Sequence, residues 1–257
     1  MLRVENVTQS FGGIVANKDI SFQIVENSIV GLIGPNGAGK STLFNVISAI
    51  YKPTKGKIMF NGKRIDGLPP YRIATLGISR TFQNLQVFRN MSVIENVMVG
   101  YHTNSKTGMI QSALRLPRVL KEEEDVYTKC LQFVKFVGLE NDIEILAGNL
   151  PLGKLRLLEL ARALAVKPKL LLLDEIAAGL NHNETKKMSG LIKSIKDKGI
   201  TVLVVEHDMD LVMGICDSII VLNQGEKIAE GTPYEIQQDE AVIKAYLGEE
   251  VKESVAN

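Results

Sequence analysis

One short segment, Gly34-Pro35-Asn36-Gly37-Ala38-Gly39-Lys40-Ser41-Thr42, constrains the fold of this chain more than any other part of its sequence. It lies between an apolar run, Ile29 to Ile33, and a helical pattern, Thr42 to Ile50. A strand, a glycine-rich loop and a helix in this order are typical of a phosphate-binding loop. A purely structural turn is the alternative, but glycines alone explain neither the lysine nor the hydroxyl groups.

Each residue type in this loop suits an anionic ligand. Gly34, Gly37 and Gly39 allow backbone conformations that are closed to bulkier residues, so consecutive N–H groups can converge on a phosphate. The helix that follows directs the positive end of its dipole to the same place. Lys40 would reach the β- and γ-phosphates as a point charge, and Ser41 would offer its hydroxyl to Mg²⁺.

Chain length and charge limit the classes of protein that fit. With 257 residues, one α/β domain with a modest insertion is expected. A formal net charge of +1 predicts no strong electrostatic attraction to nucleic acid or anionic lipid.

Cys130 and Cys216 have neither metal-ligand nor redox spacing, which favours reduced thiols in a cytosolic protein. Because we find no signal-peptide profile and no apolar run of ~20 residues, we expect a soluble chain that docks onto another subunit if it serves a membrane process.

Strands and helices alternate along most of the chain. Residues 1–33 are predicted to form antiparallel strands, with turns at Gly12-Gly13 and Glu26-Asn27. Buried strands are predicted at Leu170 to Leu173 and at Ile200 to Val205, with helices between them. This alternation implies a mostly parallel sheet with ligands at the carboxyl ends of its strands.

Other segments are predicted to be helical. Apolar residues recur at helical spacing in Ser92 to Val99 and in Val126 to Val137, so Asn84 to Asn149 is interpreted as a helical insertion. Its acidic run, Glu122 to Asp125, would be the solvated first turn of a helix. Further helices are predicted from about Leu155 to Ala165 and from Pro233 to Leu247, and residues after Glu249 are expected to fray.

Polar side chains follow two of the buried strands. A buried strand accounts for the leucines before Asp174-Glu175 but leaves two adjacent acids unexplained. Beside a phosphate loop, Asp174 suits a Mg²⁺ site, and Glu175 suits a general base that orients water for attack on the γ-phosphate. His207 can donate a hydrogen bond to that phosphate, although a lone histidine after a strand is usually structural. Phe11 could stack on a nucleotide base, but taken alone it is better explained as a core aromatic.

The order of these features resembles the nucleotide-binding subunit of ATP-binding cassette (ABC) transporters from about Leu2 to Leu247. The features in chain order are Phe11, the loop 34–42, Gln83, the segment 150–154, Asp174-Glu175 and His207. Shorter motifs look like the branched-chain amino-acid importers of this family: Ser10-Phe11-Gly12-Gly13, Arg80-Thr81-Phe82-Gln83, Ala177-Ala178-Gly179-Leu180-Asn181, Val205-Glu206-His207-Asp208-Met209, Asn223-Gln224-Gly225, Gly231-Thr232-Pro233 and Ala245-Tyr246-Leu247-Gly248.

The resemblance implies an α/β fold of the P-loop NTPase (ABC ATPase) type, with an N-terminal antiparallel β subdomain and a helical insertion. Residues 1–83 and 155–257 would form a RecA-like ATP-binding core with that subdomain. Residues 84–154 would form the helical insertion, which ends in the signature segment of the family.

The resemblance also implies a site for ATP and Mg²⁺. Ser41, Gln83 and Asp174 would hold Mg²⁺, Glu175 would activate water, and His207 would steady the γ-phosphate. Gln83 would in addition relay the state of the site to a membrane partner, and Phe11 would stack on adenine. The residues expected to contact nucleotide are Phe11, Gly34, Pro35, Asn36, Gly37, Ala38, Gly39, Lys40, Ser41, Thr42 and Asp174, with Leu150 and Gly153 serving the nucleotide of a partner.

Partners follow from the same resemblance. Such cassettes work as head-to-tail dimers, in which each ATP lies between the phosphate loop of one subunit and the signature segment of the other. The implied partners are a second, paralogous ATP-binding subunit, two integral membrane permease subunits and, indirectly, a substrate-binding protein, with no nucleic acid. The chain would then be an ATPase at the cytoplasmic face of the cell membrane, attached through the permeases, that powers import of branched-chain or related hydrophobic amino acids.

The signature segment departs from the family pattern. The usual leucine, serine, glycine or aromatic, glycine and glutamine stand here as Leu150-Pro151-Leu152-Gly153-Lys154. Pro151 lacks both the hydroxyl and the N–H that would bond the partner's γ-phosphate, although Lys154 could replace some of the contact with charge. Ile176 and His182 also stand where this branch commonly has prolines. We therefore expect an asymmetric transporter with one weak ATP site.

Two other functions fit parts of the sequence. A module that binds ATP only to control association would explain the altered signature, but retained Glu175 and His207 speak against it. A soluble ABC ATPase acting on nucleic acid or ribosomes is disfavoured by the single cassette, the near-neutral charge and the lack of a long coiled-coil insertion.

Overall fold

A computed structural model describes residues 1–102 and 117–246, with the side chains of 117–123 excluded. The β-strands are β1 (Leu2–Phe11), β2 (Ile14–Ile24), β3 (Ile29–Ile33), β4 (Lys55–Phe60), β5 (Lys63–Arg64), β6 (Ile78–Arg80), β7 (Leu170–Asp174), β8 (Thr201–Val205), β9 (Ser218–Asn223) and β10 (Glu226–Gly231). The α-helices are α1 (Lys40–Ile47), α2 (Pro70–Leu76), α3 (Val93–Tyr101), α4 (Pro117–Phe136), α5 (Leu152–Ala165), α6 (His182–Asp197), α7 (Met209–Ile215) and α8 (Pro233–Gln238). Residues 240–246 are also helical, and a 3₁₀ turn spans Ala147–Asn149.

The larger sheet has the strand order β10-β9-β3-β8-β7-β6. All of its pairs are parallel except β9 with β10, which form an antiparallel hairpin. Every residue of β3, β7 and β8 is buried, which is the pattern expected for parallel strands covered on both faces. The predicted parallel sheet is confirmed.

The smaller sheet has the strand order β2-β1-β4-β5 and is entirely antiparallel. Its strands bury one face, as Leu2, Val4 and Val7 of β1 show, and expose most of the other. Polar residues therefore alternate with apolar ones, unlike in the larger sheet. The predicted turns at Gly12-Gly13 and Glu26-Asn27 both lie where the sequence places them.

The larger sheet separates two hydrophobic clusters. Successive residues of β7 point to opposite faces, so Leu171 and Leu173 join one cluster while Leu170 and Leu172 join the other. The first cluster contains the packed residues of α3, α4, α5, α6 and α7. The second contains α1 and the inner face of the antiparallel sheet. The helix that follows the phosphate loop is thus held between the two sheets.

Several helices differ from their predicted limits. The predicted first turn, Glu122 to Asp125, is wrong, because α4 begins at Pro117 and the acidic run lies inside the helix. Helix α5 begins at Leu152 rather than Leu155, directly after Pro151, whose fixed φ suits a helix start. The predicted helix Pro233 to Leu247 is interrupted at Asp239, where the carboxylate accepts hydrogen bonds from the N–H groups of the next helical segment. Leu247, Gly248 and the expected frayed end after Glu249 lie outside the described residues.

In 1–102 and 117–246, none of the helices combines the length and the apolar composition required to span a bilayer.

The central strand β8 provides a test of this packing. Leu203 is fully buried and lies opposite Val30 of β3 and Leu172 of β7. We expect Leu203→Ala to lower the free energy of unfolding by about 3 kcal/mol, because it leaves a cavity between both neighbours. Ile14→Ala, which truncates a side chain that is 73% exposed, should change it by less than about 0.5 kcal/mol. Urea unfolding followed by circular dichroism measures both, and equal effects would contradict the assignment of β8 to the core.

Candidate nucleotide-binding site

A cavity of about 410 Å³ opens at the carboxyl ends of β3, β7 and β8. Its lining combines the phosphate loop with polar residues from three other segments: Ala16, Asn36, Gly37, Ala38, Gly39, Lys40, Ser41, Thr42, Gln83, Glu175 and His207. Most of the residues predicted to bind nucleotide phosphates therefore meet at one place. Gly34 and Pro35 lie just before this lining.

The phosphate loop follows β3 directly. Gly34 has a φ of 147°, and a Cβ at this position would lie 2.1 Å from the carbonyl oxygen of Leu222. Only glycine fits there, because the loop must pass close to the end of β9 before it turns into α1. This close approach fixes the direction in which the loop leaves the sheet.

Lys40 is the first residue of α1 and is buried. Its ammonium group donates hydrogen bonds to the carbonyl oxygens of Gly34 (2.6 Å) and Pro35 (2.8 Å). The helix has no side-chain cap at Gly39, so its first backbone N–H groups face the cavity together with the lysine charge. The cavity floor is consequently suited to a polyanion.

Glu175 contacts both of the other residues that are predicted to be catalytic. It follows β7 with a φ of 49°, an uncommon conformation for a residue other than glycine, asparagine or aspartate. Its Oε2 accepts a hydrogen bond from Gln83 Nε2 at 2.9 Å, and its Oε1 lies 3.0 Å from His207 Nε2. Three segments far apart in sequence therefore bring Gln83 and His207 into contact with the same carboxylate of Glu175.

Asp174 has a different partner. Its carboxylate is buried and forms an ion pair with Arg80, with Nη2 2.6 Å from Oδ2. Asp174 is not among the residues that line the cavity. The sequence places Arg80 in a motif without indicating its role, although a charged residue at the end of a short strand before Gln83 is a signal that could have done so.

A second buried ion pair holds the segment that carries Gln83. Glu159 of α5 accepts a hydrogen bond from the N–H of Phe82 (3.0 Å) and pairs with Arg156 (3.3 Å). Arg156 in turn donates to the carbonyl oxygens of Phe82 (3.4 Å) and Gln83 (3.2 Å). The signal for these residues is a pair of opposite charges at a spacing of i,i+3 in a helix that is mostly apolar.

Glu206 is another buried group that sequence reasoning did not single out. Its Oε1 accepts a hydrogen bond from the N–H of Ala177 at 2.8 Å, and the N–H of His207 also bonds to this carboxylate. Burial raises the pKa of Glu206 to about 7, with the negative charges of Glu175 and Asp208 adding to the effect. Glu206 thus ties the turn after Glu175 to the segment that presents His207.

Phe11 is not brought to the cavity. Its ring is 43% exposed and packs edge-on against Tyr51 at a centroid distance of 5.1 Å. It is therefore neither in the cavity lining nor in the buried core.

The signature segment lies apart from the cavity. Leu150 is buried and precedes the N-cap Pro151 of α5, which has no side-chain cap. Gly153 faces α6, where an added Cβ would lie 2.3 Å from a carboxylate oxygen of Glu184. Lys154 forms an ion pair with Asp142 at 2.7 Å. Neither Leu150 nor Gly153 lines the cavity of its own chain.

Solved structures with this architecture define its class. The fold is similar to that of an ATP-binding cassette of an ABC transporter in its ADP conformation, with a TM-score of 0.84 and 33% identity over 96% of this chain and 98% of that one. It is also similar to a dimeric ATP-binding cassette bound to ADP and Pi, with a TM-score of 0.78 and 26% identity over 91% and 99% of the two chains. The predicted ABC ATPase fold is confirmed.

Sequence comparisons identify the family. Residues 17–178 match the model described as ABC transporter, and residues 226–252 match the one described as branched-chain amino acid ATP-binding cassette transporter. The chain is 43% identical over 250 residues to the high-affinity branched-chain amino acid transport ATP-binding protein LivG of Salmonella typhimurium, covering 97% of this chain and 98% of the relative. It is 41% identical to the corresponding BraF protein of Pseudomonas aeruginosa over the same shares. The chain belongs to the ABC transporter family and is an ATPase of that family.

The raised pKa of Glu206 predicts a pH-dependent stability. Because its folded pKa of about 7 exceeds its ordinary value of 4.5, the folded state keeps this proton longer, and the free energy of unfolding falls as pH rises from 4.5 to 7. Glu206→Gln cannot titrate, so the wild type should lose roughly 3 kcal/mol or less relative to this variant over that range. Chemical denaturation between pH 4.5 and 8 measures the difference. Glu240→Gln, at an exposed position, is the control, and a Glu206→Gln difference that stays constant with pH would contradict the prediction.

Proposed function

We propose that this chain is the ATP-binding and ATP-hydrolysing subunit that powers an importer of branched-chain or related hydrophobic amino acids. The observation that carries the proposal is the meeting of Lys40 with Gln83, Glu175 and His207 in one cavity. A polyanion site beside a carboxylate that can accept a proton from water is what γ-phosphate hydrolysis requires. The substrate class rests on the names of the LivG and BraF relatives.

In this proposal the phosphate loop and Lys40 bind the β- and γ-phosphates of ATP. The ammonium group exchanges its bonds to the Gly34 and Pro35 carbonyls for bonds to phosphate oxygens, and the N-terminus of α1 adds backbone donors. Glu175 orients a water molecule and accepts its proton, while His207 donates a hydrogen bond to the γ-phosphate. Gln83 donates a hydrogen bond to the same carboxylate. A change at the nucleotide would therefore alter the position of Gln83 and of the segment after it, and through that segment would reach the membrane partner.

The available donors fit Mg²⁺ bound together with nucleotide. Within the described ranges, no cluster of three or more His, Cys, Asp or Glu residues could hold a metal by itself. Ser41 and Gln83 line the cavity, and Asp174 ends the neighbouring strand, so the oxygen donors are few, as in Mg²⁺ sites completed by phosphates and water. When bound, Mg²⁺ would neutralise charge that develops on the phosphates.

Glu175 tests this function directly. We expect Glu175→Gln to keep ATP binding but to lower the ATPase rate by about 10²–10⁴-fold, because the amide cannot accept a proton.

Uptake by cells tests the transport role. A strain in which the gene for this chain is deleted should lose uptake of labelled leucine, isoleucine or valine. The wild-type gene and the Glu240→Gln control should restore uptake, and Glu175→Gln should not. Continued ATP turnover by Glu175→Gln would remove it as the base, whereas unchanged uptake after deletion would contradict the transport role.

The site is proposed to be completed by a partner. The dimeric cassette to which this fold is similar supports a head-to-tail dimer, here with a paralogous second subunit, in which Leu150 and Gly153 face the partner's nucleotide. Two integral membrane permease subunits and, indirectly, a substrate-binding protein would complete the transporter and hold this chain at the cytoplasmic face of the membrane. Within this arrangement we propose 1–83 with 155–257 as the ATP-binding core and 84–154 as the helical insertion.

The altered signature supports an asymmetric pair of sites. Pro151 occupies the N-cap of α5 without a hydroxyl, and the Lys154 ammonium group is already paired with Asp142. Neither side chain replaces the hydrogen bond that a serine would offer to a phosphate. The site to which this chain contributes its signature segment is therefore proposed to be the weak one.

Reverting the signature tests the asymmetry. Loss of one transition-state donor slows a site by about a hundredfold, so Pro151→Ser with Lys154→Gln should let the second site turn over and raise the ATPase rate of the assembled transporter. Lys129→Gln, an exposed lysine of α4, controls for the change in charge. An unchanged rate in the reverted complex would refute the asymmetric arrangement.

A further inference from the structure

Arg80 links the helix after the phosphate loop to the end of β7. Its side chain is only 9% exposed, and its Nη2 lies 2.6 Å from Oδ2 of Asp174, whose side chain is 6% exposed. Its Nη1 lies 2.7 Å from Asn45 Oδ1 and 2.7 Å from Ser48 Oγ. Asn45 and Ser48 lie at the end of α1, so a single guanidinium bridges two elements that carry site residues.

Two aromatic rings pack against this guanidinium. The Arg80 Cζ lies 5.1 Å from the centroid of the Phe44 ring and 5.3 Å from that of Phe82. Both distances are within the range of cation–π attraction. A lysine could not reproduce this arrangement, because its ammonium group is a single point rather than a planar fork.

Because Arg80 and Asp174 are both buried, each charge depends on the other for compensation. A buried carboxylate is costly unless a positive charge and hydrogen bonds compensate it. Arg80 supplies that compensation to Asp174 at Oδ2. The N–H of Asp174 is held as well, by Thr81 Oγ1 at 3.1 Å. A cation at Asp174 would therefore share this carboxylate with the guanidinium instead of holding it alone.

We propose that Arg80 is a positioning residue that orients Asp174 and reduces the negative charge that Asp174 offers to Mg²⁺. Mg²⁺ then binds tightly only when nucleotide phosphates contribute to its coordination. The inference rests on the proposed function, since Asp174 is assigned to Mg²⁺ there.

Thermal unfolding of the full chain, with ADP and MgCl₂ as probes, tests this inference. In Arg80→Met, the midpoint without ligand should fall by about 10 °C, because Asp174 loses its partner. With ADP present, the Mg²⁺ concentration that gives half of the added stabilisation should fall by about tenfold, because Asp174 then offers its full charge. Arg72→Met, which removes an exposed arginine from α2, should behave like the wild type in both measurements.

Two further variants keep the test decisive. Arg80→Met with Asp174→Asn removes both charges and should recover part of the lost midpoint. If Arg80→Met does not fold, Arg80→Lys is used instead. One ammonium group cannot bond Asp174, Asn45 and Ser48 together, so it should compensate the Asp174 charge less well than the guanidinium does. The Mg²⁺ concentration for half of the added stabilisation should then fall by about threefold. An unchanged Mg²⁺ requirement in the folded variant overturns the inference. A wild type whose midpoint does not respond to ADP at all would instead contradict the proposed function.

Discussion

The parallel pairing of β3, β8 and β7 is the constraint on which the rest of the structure depends. Gly31 lies opposite Val204, and Leu172 lies opposite Leu203, so the three strands run side by side and end at one edge of the sheet. A site segment follows each strand within two residues, which brings the phosphate loop, Glu175 and His207 together without long connecting loops. Because both faces of these strands are buried, the edge is rigid, and a site built on rigid elements keeps its geometry.

Charged groups in the interior then set the finer geometry. Arg80 bonds to Asp174, Glu159 bonds to the backbone of Phe82, and Glu206 bonds to the backbone of Ala177. Each contact fixes a segment next to a predicted site residue. Buried charges often contribute less stability than apolar residues of the same volume would, but when paired and hydrogen-bonded they restrict the segments that they join. The buried strands thus set the overall position of the site, and the hydrogen bonds of Arg80, Glu159 and Glu206 set the positions of the segments that carry its side chains.

The features that the sequence predicted well are those encoded locally. The phosphate loop needs only neighbouring residues, and buried strands are recognisable from unbroken apolar runs such as Leu170 to Leu173. Contacts between distant residues were missed for the opposite reason. Arg80 and Asp174 are 94 positions apart, and no short pattern connects them. The assignment of Phe11 to adenine rests on resemblance and stays a prediction, because the position of its ring depends on the course of the β1–β2 hairpin relative to α1, which neither residue types nor spacing determine.

Helix α5 has a consequence for how a neighbouring subunit could influence the catalytic carboxylate. Its first turn continues from the signature segment, and its next turn holds the peptide groups on both sides of Gln83 through Arg156 and Glu159. Gln83 in turn bonds to Glu175. Because a helix is rigid along its axis, a tilt at the start of α5 also displaces the peptide groups of Phe82 and Gln83 that Arg156 and Glu159 hold. The hydrogen bond between Gln83 and Glu175 therefore depends on the position of α5, and we expect a displacement of the start of this helix to change that bond.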